Sequence, residues 1–208
     1  MIGRKNTMTS LVSQVPEKLL PLGHKNRPGD KLREKKAIII HWTAAPNQKV
    51  ENTAAWFMTG QVYGSSQYII GTKGEMLRTV PDDEVAWHCG SSQNDPLSGK
   101  LYTDWAREVI GTTFCSANGT PNRATLGFEI NPLDSDGKFS DESMDVVLKL
   151  VKEIASRDGY LWVATHFHVV GWKDCPKWYY NRPGAWVEFA RQTGLRYPDH
   201  SDLKKWRW

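Results

Sequence analysis

The stretch KAIIIHW, residues 36–42, constrains this chain more than any other. Three consecutive isoleucines leave no polar face to turn toward water, and their β-branched side chains favour an extended backbone. Such a strand must be covered on both faces, so it belongs in the interior of a sheet with helices packed against it. Two other runs read as strands of the same sheet, TLGFEIN at 125–131 and YLWVATH at 160–166. SSQYIIG and EMLRTV read as a hairpin across TKG, and AWHCG reads as a further strand.

Helical segments alternate with these runs. In SDESMDVVLKLVKEIASRDG, residues Met144, Val147, Leu148, Val151 and Ile154 share one helical face, with Ser140 as N-cap and Gly159 as the stop. NTAAWFMTG suits a short helix ended by Gly60, and PGAWVEFARQTG a helix with Pro183 at its start and Gly194 at its end. Residues 91–123 lack clear periodicity and read as an insertion loop with a short helix near YTDWAREVI. The expected fold is α/β: a single domain with a mixed central β-sheet flanked by helices. Residues 1–35, dense in turn formers, are expected to form an extended N-terminal arm, 36–195 the domain itself, and 196–208 a C-terminal tail ending in KKWRW.

Length and composition narrow the function classes. At 208 residues the chain suits one sizeable core. It contains no run of about eighteen apolar residues that would span a bilayer, and MIGRKNTMTSLVSQV lacks the apolar centre of a signal peptide. The expected product is therefore made in the cytoplasm, as a monomer. A net charge of +4 favours anionic partners mildly, but the basic residues are spread along the chain, so nucleic acid is not an expected partner. Three cysteines are too few for a disulfide scaffold; Cys89 and Cys115 read as free thiols rather than a bridge. Ten tryptophans are many, and some are expected to line a surface that holds a sugar or peptide.

The chemistry concentrates at strand ends. His41 closes one strand and His166 another, while THFHVVGWKDCP adds His168 and Cys175 after a loop able to fold back. Neutral imidazole and thiolate are ligands that zinc prefers, and three such ligands with one open position make a catalytic site. The spacing alone leaves the alternative open, in which each residue has an unrelated task.

Taken in order, IIIHWTA, SSQYIIGTKGEMLRTVPDDEVAWHCGSS, NRATLGFEIN and THFHVVGWKDCP resemble the zinc-dependent N-acetylmuramoyl-L-alanine amidases of the type-2 amidase family, which includes phage endolysins and is related to peptidoglycan recognition proteins. The similarity runs from about Lys36 to about Thr193. It implies a zinc cleft at the strand ends and hydrolysis of the amide between N-acetylmuramic acid and L-alanine in peptidoglycan. It further implies zinc (Zn2+) ligands at His41, His166 and Cys175, with Glu129 activating water and Lys173 as a second catalytic group. Ser66 stands where other members carry a tyrosine near the zinc, Gln67 replaces a common histidine, and Lys177 replaces a common glycine. Trp87 and His88 match the cleft wall, where contact with the muramyl sugar or stem peptide is implied, and Asn122 is implied to hold the loop or the substrate. With no leader, such an enzyme is expected to reach the wall through another component. His168 is expected off the metal, because a ligand at a rigid strand end such as His166 is held more precisely than one further along a loop, yet near it, because residues two apart on an extended segment face the same way.

Overall fold

The computed structural model describes residues 10–198; the KKWRW tail lies outside the described residues. Five strands form one mixed sheet in the order β3-β2-β4-β1-β5: β1 Ala37–Trp42, β2 Tyr68–Ile70, β3 Met76–Arg78, β4 Thr125–Ile130 and β5 Trp162–Thr165. β4 is the middle strand; β1 lies inside the sheet, parallel to β4 on one side and to the edge strand β5 on the other, while β2 runs parallel to β4 and antiparallel to β3. The expected α/β class and the hairpin are thus present. AWHCG is not a strand: no ladder partner reaches it, and the backbone N–H groups of His88 and Cys89 donate instead to the Asn122 side-chain oxygen at 3.0 and 2.8 Å.

The two faces of the sheet differ in bulk, and that difference places the site. One face carries Ile38, Ile40, Phe128, Leu126, Ile130, Tyr68 and Val163, all buried. It is covered by two helices, α4 (Asp141–Asp158) and α7 (Pro183–Thr193). α4 has the expected caps: Ser140 Oγ accepts from Ser143 N at 3.1 Å, and Gly159 closes the helix at φ 81°. The opposite face is built from smaller groups, Ala37, Ile39, Thr125, Gly127 and Ala164, and packs with α3 (Asp104–Val109) and α5 (His166–Val170). His41 and Glu129 stand side by side on that face, at the C-terminal ends of two parallel strands, where the crevices of α/β sheets form. α2 (Val50–Thr59) packs through Val50, Ala54 and Phe57 on Ile69 and Leu77 and supplies one wall of that crevice. α1 (Leu11–Gln14) and α6 (Lys177–Asn181) complete the helices of the described residues.

Both sheet edges are covered, which removes the unpaired ladders that invite aggregation. Along β3, Lys18 N and Leu20 N donate to the carbonyls of Arg78 and Thr79, both at 2.9 Å, and Arg78 N donates to Pro16 O at 2.8 Å. Along β5, Arg196 pairs in parallel with Trp162. The segment 10–35 is therefore extended yet docked: Val12, Val15 and Leu20 are buried, and the Glu153 carboxylate accepts from Leu11 N, Val12 N and Ser10 Oγ. The sequence pattern missed this, because docking rests on single residues spaced among turn formers. Cys89 and Cys115 are separate buried thiols, as expected. Among the described residues no helix is long and apolar enough to cross a membrane.

A buried ion pair ties the arm to the body. Arg27 Nε and Nη2 donate to Glu84 Oε2 and Oε1 at 2.7 and 3.2 Å, and Nη1 donates to Leu20 O at 2.7 Å. This fork holds the Glu84 carboxyl below its ordinary range, chiefly through the hydrogen bond from Arg27. A depressed carboxyl contributes stability above the unfolded value of about 4.3, and loses it as pH falls through the lower folded value. Glu84→Gln is expected to destabilise the protein at neutral pH by about 1.5–3 kcal/mol, and to flatten the fall in stability below about pH 4. Urea titrations at pH 7, 4 and 3 measure both; equal curves for the two proteins at pH 7 contradict the assignment.

Candidate functional site

Three elements deliver three metal-capable atoms to one point. β1 carries His41 one residue before its end, α5 begins at His166, and the turn after α5 returns the chain to Cys175, whose carbonyl accepts from Phe167 N at 3.0 Å. One ligand atom from each of these three side chains lies within 4.8 Å of the other two, and all three residues are buried. His41 Nδ1 is 3.7 Å from Cys175 Sγ.

The electrostatics suit ligation by neutral imidazole. Burial lowers the pKa of His41, assisted by His166, His88 and Lys173. Burial, then Lys173, takes His166 down to about 3. His166 Nε2 lies 3.1 Å from Gly90 O, and a carbonyl only accepts, so Nε2 carries the proton and Nδ1 keeps a free lone pair. Burial raises the Cys175 thiol to about 12 with Glu129 adding to the shift, so the thiolate needs a cation beside it. Glu129 is half-buried, but its Oε2 has no hydrogen-bond partner and is shut from solvent. Desolvation pushes this carboxyl up to about 8 against the opposing pull of Lys173. A buried, unpartnered carboxylate oxygen beside three soft donors is a costly arrangement for a fold alone and a useful one for a metal-assisted reaction.

His168 corrects the sequence reading. The strand stops at Thr165, one residue early, and His166 opens a helix. The signal was THFH, a reciprocal cap in which His168 Nδ1 accepts from Thr165 N at 3.1 Å. On a helix residues two apart point to opposite sides. The His168 ring accordingly packs against Trp105, Phe167 and Trp186, fully buried and outside the donor cluster.

A cleft of about 890 Å³ opens over the cluster. His41, His166, Cys175, Glu129, Lys173, Trp87, His88 and Asn122 all line it. Lys173 is exposed at its rim. Ser66 is not in the lining: its hydroxyl is fully buried and donates to Tyr68 O at 2.8 Å, so the structure does not bring it to a substrate. Asn122 is 3% exposed, and its amide is engaged in holding the loop at His88 and Cys89 and in donating to Thr120 Oγ1 at 2.9 Å. His88 stands behind His41, 6% exposed, its Nδ1 3.0 Å from His41 Nε2. Trp87 is partly exposed, with Nε1 donating to Lys25 O at 3.0 Å. The sequence reading did not single out Trp56, Tyr63 and Trp172 as cleft walls. Trp56 and Tyr63, 47% and 74% exposed, were hidden by the ordinary expectation that aromatics pack inside.

Comparison with known proteins agrees with this geometry. The model of the N-acetylmuramoyl-L-alanine amidase family (Amidase_2) matches residues 31–178. The chain is 26% identical over 177 residues to N-acetylmuramoyl-L-alanine amidase BlyA of Bacillus subtilis (strain 168), covering 84% of this chain and 45% of that one. It is 27% identical over 173 residues to a probable N-acetylmuramoyl-L-alanine amidase of Bacillus licheniformis, covering 80% and 41%. The chain thus spans less than half the length of these relatives. Its fold is shared with a mutant endolysin from Bacillus subtilis, with a TM-score of 0.62 at 22% identity, over 86% of this chain and 98% of that one. The match over residues 31–178 takes in every donor of the cluster as well as Glu129 and Lys173, and the chain belongs to the N-acetylmuramoyl-L-alanine amidase family.

Proposed function

We propose that this chain hydrolyses the amide between N-acetylmuramic acid and L-alanine in peptidoglycan, with zinc as cofactor, in the manner of a phage or prophage endolysin. The observation that carries the reading is the His41, His166 and Cys175 donor set beside the unpartnered Glu129 carboxylate, open to one cleft. Zinc fits the donors: imidazole and thiolate are ligands that it prefers, and the three donor atoms, all buried, converge within 4.8 Å of one another. In this reading residues 36–195 form the catalytic domain, and the muropeptide meets Trp87 and the other cleft aromatics.

Zinc, when bound, supplies a Lewis acid for the scissile carbonyl and makes the attacking water more acidic. The remaining tasks fall to the protein. The Glu129 carboxylate, which lines the cleft, accepts the proton of the attacking water and returns it to the nitrogen of the departing L-alanine. A cation held by the donors would lower the Glu129 pKa in the same sense as Lys173 does, and would leave the carboxylate free to act as that base. Lys173 donates to the carbonyl oxygen as charge collects there, a contribution of about 3 kcal/mol for a well-placed donor. The lactyl carboxylate stays on the sugar and the alanine leaves with a free amino group.

The purified protein is expected to hold about one zinc per chain, to lose wall hydrolysis on strong chelation and to regain it with added zinc. Product analysis should find new amino-terminal alanine and no new reducing sugar ends. Full activity of metal-free protein, or new reducing ends in place of amino termini, contradicts the proposal.

A further inference from the structure

We propose that His88 is a positioning residue that fixes the tautomer of His41, through a one-way chain of hydrogen bonds ending at the Pro121 carbonyl. The inference rests on the reading of His41 as a metal ligand, and its direction follows from proton counting. Thr125 Oγ1 donates to Pro121 O at 3.0 Å, and a hydroxyl has one proton to give. Toward His88 Nε2, 3.4 Å away, that oxygen acts only as acceptor, so Nε2 carries the His88 proton. The Nδ1 of a neutral His88 is then the acceptor in the 3.0 Å contact with His41 Nε2. His41 is left with its proton on Nε2 and a lone pair on Nδ1, the atom facing Cys175. His166 reaches the same state through Gly90 O. The two imidazoles are thus set alike by different partners, one a carbonyl and one a histidine relay.

The surroundings of His88 are built for this task. Asn122 Oδ1 holds the backbone N–H groups of His88 and Cys89. The ring lies directly on the β4 backbone: a Cβ at Gly127 would stand 2.6 Å from His88 Cγ and 2.9 Å from Nδ1. No side chain fits there, which accounts for a glycine in the middle of a central strand. The Gly127 N–H is met by Gln67 Oε1 at 2.8 Å, so it is not left unpaired.

Two substitutions of similar size separate positioning from packing. The His88→Asn side chain carries a carbonyl oxygen where Nδ1 stood, whereas His88→Leu has the same branching without an acceptor. Zinc affinity, measured by competition with a chelator, is expected to fall on the order of 10–100-fold in His88→Leu, with His88→Asn binding at least about tenfold tighter than His88→Leu. Long-range proton–nitrogen spectra of the metal-free proteins provide the second readout. His41 should appear as the Nε2–H tautomer in the wild type and in His88→Asn, and with Nδ1–H populated in His88→Leu. Equal zinc affinity for His88→Asn and His88→Leu, or Nδ1–H on wild-type His41, overturns the proposal. A wild type that binds no zinc refutes the metal reading instead, and the tautomer spectra then judge the relay by themselves.

Discussion

Replacing Glu129 by glutamine is expected to cost on the order of a hundredfold or more in kcat while leaving zinc content unchanged and the fold no less stable. The two halves of that expectation have one cause. Glu129 lies on the small-residue face of β4, opposite His41, where Oε2 is shut from solvent without a partner and the carboxyl is pushed up to about 8. For the fold such a group is a burden. In metal-free protein the unfolded carboxyl ionises near about 4.3 and the folded one near about 8. Between those values the folded state keeps a proton that the unfolded state has lost, so this group erodes stability as pH rises through that window. Glu129→Gln removes the slope, and metal-free Glu129→Gln should unfold at higher urea than wild type at pH 8, with the difference shrinking toward pH 4. A residue that lowers activity and raises stability when replaced serves the reaction rather than the structure. Near-normal turnover in folded, zinc-loaded Glu129→Gln would show that another group activates the water, and unchanged urea curves at pH 8 would show that the carboxyl is not desolvated.

Much of this architecture was legible because the residues concerned carry their signal locally. KAIIIHW is apolar on both faces and became an interior strand, paired on both sides; Ser140 and Gly159 bracket a helix with a clear apolar stripe, and both ends fell where those caps put them. His41, Cys175 and Glu129 were legible as an ordered set with the resemblance behind them, and the structure brings all three to one cleft. What escaped were features decided by single hydrogen bonds over long separations. AWHCG has the composition of a strand, but one amide oxygen, that of Asn122, takes the donors that a neighbouring strand would have received. His88 lines the cleft as expected, but its place against His41, which Gly127 permits by leaving room for the ring, was not legible, because it rests on contacts between residues far apart in the chain. Ser66 was placed by resemblance at a position whose side chain turns to its own backbone. THFH held a readable helix start, but the periodicity of YLWVATH outweighed it, so the extended geometry that put His168 on the same side as His166 does not hold, and the helix gives a further reason for setting His168 aside.

That helix also sharpens the most direct test of the metal site. If His41, His166 and Cys175 hold zinc, the two histidines of α5 must behave oppositely although they are two residues apart. His166→Ala removes a donor from the cluster, at a side chain that lines the cleft. His168→Ala empties a site among Trp105, Phe167 and Trp186 and removes the acceptor that caps α5, so it should destabilise the fold by about 1–3 kcal/mol yet keep its metal. The measurement is zinc per chain for wild type, His166→Ala and His168→Ala after identical dialysis at a temperature where all three are folded. The expected result is about one zinc in wild type and in His168→Ala and nearly none in His166→Ala; zinc kept by His166→Ala and lost from folded His168→Ala would contradict the site described here.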